Sequence, residues 1–149
     1  MKLLFIISLL FTGSFPADNV FVRDQVKANF DKTFPNANDV TWVKHDNNTV
    51  KAVLIQDDIK THITYNPDGS VNQCLRYYDC KNLPAHIRAK IFEKYPECQI
   101  VGVTELFADN ALNFYINIKN DSKILELRAD PSGDLTKMKS FKDASVAGE

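Results

Sequence analysis

The chain has 149 residues, 44% of them apolar and 25% charged, which suits one domain or two very small ones and excludes a disordered composition. Its 18 Lys and Arg nearly cancel its 19 Asp and Glu, for a formal net charge of −1. No bulk electrostatic pull toward nucleic acid or an anionic membrane follows.

In chain order, the first element is an export signal. Lys2 is the only charge before Asp18, and Leu3 to Phe11 form a short apolar core followed by small residues at Thr12, Gly13 and Ser14. A basic start, an apolar run shorter than the roughly twenty residues that span a bilayer, and a small-residue region make a cleavable signal peptide rather than an anchor. Cleavage after Ser14 places small residues at both key positions, whereas cleavage after Ala17 puts Phe15 where a small side chain is preferred. The expected address is periplasmic or secreted, with no stable membrane insertion.

Next comes a helix. Val22, Val26, Phe30 and Phe34 recur every fourth position and the run stops at Pro35; this is one apolar helical stripe ended by a residue that cannot continue it. The same pattern returns at Leu83, Ile87, Ile91 and Tyr95 before Pro96, with Asn82 as a candidate N-cap. Asp18 or Asn19 is the corresponding candidate in the first copy. Each helix precedes four strand-like runs, at about 39–45, 50–56, 59–66 and 70–78, then about 100–108, 112–119, 123–130 and 134–141. Turn residues separate them, notably Asn66-Pro67-Asp68-Gly69 and Asp130-Pro131-Ser132-Gly133. Short turns between consecutive strands imply antiparallel meanders. The expected fold is α+β, a tandem repeat of one helix packed on a four-stranded antiparallel meander sheet. The expected division is a signal peptide over 1–17, repeats over 18–80 and 81–142, and a tail over 143–149.

Aligning the copies predicts the helix-covered face: Val40, Trp42, Val50, Ala52, Leu54, Thr61, Ile63, Val71 and Tyr77 in the first, and Val101, Val103, Phe114, Ile116, Ile118, Leu125, Leu127, Leu135 and Phe141 in the second. The opposite face would then carry Val43, Val53, Ile55, Cys74, Tyr78, Tyr115, Ile124 and Met138 among Lys51, Lys60, Arg76, Asn117, Glu126 and Arg128. A solvated face should be more polar, so this amphipathic surface suits protein contact or packing against another repeat or copy.

The run Phe34-Pro35-Asn36-Ala37-Asn38-Asp39-Val40-Thr41-Trp42, the turn Asn66 to Ser70, the link Leu83-Pro84 and the stretch Ile91 to Pro96 resemble the PepSY-like, beta-lactamase-inhibitor-like (BLIP-like) proteins exported by Bacteroidetes. The resemblance covers everything after the signal peptide. It implies a periplasmic or secreted protein of tandem helix-plus-four-strand repeats, related by name to an inhibitor whose sheet packs on an enzyme. The motif residues are fold residues, so no functional residue carries over. Cys98 stands where the first copy has Ala37.

A search for chemistry finds no G-x-S-x-G, H-E-x-x-H or P-loop pattern, so no enzyme is expected, and no cofactor. His45, His62 and Cys74 would share the outer face, but the first and third strands of a meander are not neighbours, which disfavours a metal site. Cys74, Cys80 and Cys98 are odd in number, so at least one lacks an intrachain partner. The basic residues from Lys119 to Lys142 are interrupted by Asp121, Glu126, Asp130 and Asp134, which argues against nucleic acid. The reading is a non-enzymatic exported binding protein, a monomer or weak dimer, contacting an unknown protein partner through Val53, Ile55, Arg76, Tyr78 and Tyr115. The alternative is a carrier or chaperone for a small apolar ligand held between helix and sheet. A carrier needs a cavity of hundreds of cubic ångströms, and Trp42, Phe30 and Phe114 would fill that space.

Overall fold

The computed structural model describes residues 20–46, 48–120 and 123–142. The expected signal peptide over 1–17 and its cleavage site, the candidate caps Asp18 and Asn19 and the expected tail over 143–149 lie outside the described residues. Helix α1 (Asp24–Thr33) precedes strands β1 (Thr41–Lys44), β2 (Val50–Gln56), β3 (Ile59–Tyr65) and β4 (Val71–Tyr78). A short 3-10 turn (Cys80–Asn82) and helix α2 (Ala85–Lys94) lead to β5 (Gln99–Ala108), β6 (Ala111–Asn120), β7 (Lys123–Ala129) and β8 (Leu135–Lys142).

The eight strands make one antiparallel meander in sequence order. This overturns the expected tandem repeat of a helix on a four-stranded sheet. β4 and β5 pair continuously from Gln73↔Ala108 to Tyr78↔Val103. Two separate four-stranded sheets would leave the N–H and C=O groups of both strands as open edges, and their pairing removes both edges at once.

Both helices form where the apolar spacing places them, and each ends at an aromatic residue before proline, Phe34 and Tyr95. Their starts differ from expectation. Asn82 lies in the 3-10 turn, which Asp79 caps by accepting from the Lys81 N–H, and Pro84 precedes the first residue of α2. Val22, Val26 and Phe30 pack on Ala52, Leu54, Ile63 and Tyr65. Leu83, Ile87 and Ile91 pack on Val103, Phe114, Ile116, Ile118 and Leu127. Both helices therefore lie on the same side of the sheet, and among the described residues no helix covers the other side.

Three bulges decide which residues reach which side. Between β3 and β4, Tyr65 opposes Val71 but Thr64 opposes Gln73, so Asn72 is the extra residue. An inserted residue reverses the alternation beyond it. Val71 follows the buried Tyr65, yet Gln73, Leu75 and Tyr77 point away from the helices while Cys74, Arg76 and Tyr78 point toward them. A second bulge, at Val101, keeps Ile100 and Val103 buried and leaves Val101 50% exposed. A third, at Met138, sends Leu135 toward α2 and Phe141 away from it. The expected burial of Tyr77, Val101 and Phe141 is thus corrected, as are the outward positions of Cys74, Arg76 and Tyr78.

Candidate functional site

The helix-free side is the candidate surface. Val53 on β2 opposes His62 on β3, His62 opposes Leu75 on β4, and Leu75 opposes Leu106 on β5. One row along, Tyr77, Thr104 and Tyr115 follow across β4, β5 and β6, with Arg128 beyond on β7. No helix covers this row, yet His62, Leu75, Leu106 and Tyr115 are only half exposed and Thr64 is buried. The twist of a wide sheet leans neighbouring side chains over one another. Ile55 is 68% exposed and Tyr77 36%.

Of the five residues singled out from sequence, Val53, Ile55 and Tyr115 lie on this side. Arg76 and Tyr78 lie on the other, between the two helix-covered clusters. Tyr78 is 7% exposed and its phenol donates to Glu105 Oε2 at 2.7 Å. Arg76 Nη1 donates to both Glu105 oxygens, at 3.0 and 3.2 Å. Burial, then the bond to Glu105, pushes the Tyr78 phenol far above its ordinary range. This triad ties β4 to β5 and so holds the centre of the sheet; a half-buried charge needs such partners. Nothing in the alternation of Cys74 to Tyr78 announces it, because the bulge at Asn72 sets the parity. Leu75 and Tyr77 on the bare side were missed for the same reason, whereas Leu106 follows from plain alternation with Val103 along β5.

His62 sits in the middle of the bare side with its ring against Tyr77, at 5.3 Å between centroids. Its Nε2 is buried without a hydrogen-bond partner. Burial, then the charges of Lys60 and Lys51, holds its pKa below the ordinary 6.5, so the ring is neutral near pH 7. Cys74, Cys80 and Cys98 are free thiols. Burial pushes the Cys74 thiol up to about 11, which keeps it protonated and unreactive. Among the described residues no group of three or more His, Cys, Asp or Glu could hold a metal. A cleft of about 460 Å³ opens between the start of α1 and the ends of β1 to β3, lined by Phe21, Arg23, Val26, Lys44 and Val50.

No family model matches the chain, and no curated protein matches it. Solved structures do. A BLIP-like protein from Bacteroides fragilis NCTC 9343 superposes with a TM-score of 0.63 at 16% identity, over 85% of this chain and 92% of that one. A DUF2874 family protein from Bacteroides ovatus ATCC 8483 gives 0.59 at 19% identity, over 83% and 89%. A protein of inferred periplasmic address from Bacteroides eggerthii DSM 20697 gives 0.58 at 13% identity, over 87% and 94%. The chain therefore has the fold of BLIP-like and DUF2874 proteins of Bacteroides. Among the described residues no helix is long and apolar enough to cross a membrane.

Proposed function

We propose that this chain is a non-enzymatic exported protein that holds a protein partner on the helix-free side of its sheet. The observation that carries the reading is an eight-stranded surface that no helix among the described residues covers, with Val53, Leu75, Leu106 and Tyr115 on β2, β4, β5 and β6 and His62 between the first two. Both helices are already spent on the opposite side, and an apolar surface that no helix among the described residues covers is the kind that partners cover. The likeness in fold to a BLIP-like protein supports a non-catalytic role. Export is supported by Lys2 and the apolar run to Phe11, and by the inferred address of one fold neighbour. The carrier reading is disfavoured because the space between α1 and the sheet is filled. The Phe30 and Trp42 rings stand 5.2 Å apart and Trp42 and Tyr65 6.4 Å apart.

The test is comparative retention. The immobilised chain should retain a protein from the envelope or culture fraction of its own cell that an Ile55→Asp, Tyr115→Ala double variant does not, with the variant's thermal midpoint unchanged. Equal retention by both baits would refute the reading.

A further inference from the structure

The strand residues of the bare side are net basic, while most of the acids of the chain lie outside the strands. The whole chain has a formal charge of −1. Among strand residues whose pairing places them on the bare side, Lys51, Lys60, Lys119, Arg128 and Lys139 are basic and Glu126 is the one acid. Lys51, Lys60 and Arg128 take part in none of the four ion pairs found among the described residues. Their placement is ordered. Lys51 and Lys60 neighbour Val53 and His62 on β2 and β3, and Arg128 opposes Tyr115 on β7. Leu75 and Leu106 lie between these two groups. The side is an apolar centre with cations on two flanks. Lys60 and Lys51 also act, after burial, on the neighbouring His62, whose pKa they help lower.

Resting on the docking reading above, we infer that the partner is a protein presenting an acidic surface, whose carboxylates meet Lys51, Lys60 and Arg128 around an apolar contact at Leu75 and Leu106. Unpaired cations beside a desolvated apolar patch favour an oppositely charged partner and repel a basic one. The aliphatic centre separates this partner from nucleic acid. Single strands stack successive bases on open aromatic faces; of the two tyrosines on this side Tyr77 is engaged edge-on with His62 and Tyr115 is half buried. Binding in an anionic membrane surface takes apolar side chains that reach into the acyl boundary, whereas Leu75 and Leu106 are half buried.

The experiment is selection of a random displayed peptide library on the immobilised full chain, with affinities of the enriched peptides measured by fluorescence anisotropy. A poly-dT oligonucleotide and vesicles of phosphatidylglycerol serve as parallel probes. Enriched peptides should be rich in Asp and Glu beside apolar residues. They should weaken about tenfold or more on a Lys51→Glu, Lys60→Glu variant, and weaken with rising salt. Circular dichroism confirms that the variant is folded, and the salt series on the wild type decides the matter if it is not. Enriched peptides without acidic excess that still fail on Ile55→Asp overturn the acidic partner and leave the docking side standing. Peptides indifferent to both variants overturn the docking side as well. Oligonucleotide or vesicle binding as tight as the peptides', and lost on the Lys51→Glu, Lys60→Glu variant, overturns the choice of a protein.

Discussion

Replacing Tyr78 and Tyr77 in turn by alanine tests the register on which the candidate surface stands. The two are adjacent in sequence and on opposite sides of the sheet. Tyr78 is 7% exposed, packs in the cluster under α2 and donates its phenol proton to Glu105 at 2.7 Å. Truncating a buried aromatic ring costs about 3–5 kcal/mol through lost transfer energy and the cavity left behind. Loss of a hydrogen bond to a carboxylate adds about 1–3 kcal/mol, less here because Arg76 still satisfies Glu105. Tyr78→Ala should therefore destabilise by about 4–6 kcal/mol, and Tyr78→Phe by about 1–2 kcal/mol. Tyr77 is 36% exposed and touches the His62 ring edge-on; its removal should cost about 1 kcal/mol. Urea denaturation followed by Trp42 fluorescence measures all three, and an unchanged slope would show that the denatured state is the same. If Tyr77→Ala costs as much as Tyr78→Ala, Asn72 is not a bulge and the assignment of residues to the two sides fails.

Truncating Phe30 to alanine should cost about 3–5 kcal/mol and Ile91 to alanine about 2–5 kcal/mol, since both are buried under their helices; a loss below about 1 kcal/mol at either site, by the same urea assay, would contradict the packing. Gly69 and Gly133 both adopt positive φ, +85° and +87°, so alanine at either costs about 1–2 kcal/mol in backbone conformation. At Gly69 the new Cβ would also stand 2.9 Å from the Gln25 carbonyl oxygen, part of helix backbone, whereas at Gly133 the tightest contact is with the flexible Lys90 Cδ at 3.1 Å. Gly69→Ala should therefore be the costlier of the two in thermal melts; equal melting points would refute this. His62 should titrate below 6.5 by proton NMR, and Lys60→Gln should move it back up. Because folding disfavours its protonated form, its contribution to stability is complete above about 6.5 and is lost as pH falls toward the lowered folded value. A folded-state value at or above 6.5 would contradict the crowding of Lys51 and Lys60 around it.

Local pattern and tertiary pairing divided the work along clear lines. The apolar residues at every fourth position and the two prolines after Phe34 and Tyr95 set both helices, because a helical stripe and its stop are written within one segment. Asn, Asp, Pro and Gly at the turns set all eight strands to within about two residues. The burial of Ala52, Leu54, Phe114, Ile116 and Ile118 followed from simple alternation, because no bulge interrupts β2 or β6 along those residues. Tertiary structure alone decided the rest. That β4 joins β5 is a contact between segments whose own sequences say only that each is a strand; an unpaired edge seeks any partner, and here the nearest one completes a single sheet. The bulges at Asn72, Val101 and Met138 were equally silent, since one extra residue leaves no composition mark and yet reverses every side chain beyond it. The candidate surface inherits that division. Val53, Ile55, Leu106 and Tyr115 were readable from their strands, while Leu75 and Tyr77 reach it, and Arg76 and Tyr78 leave it, only through the register that folding sets.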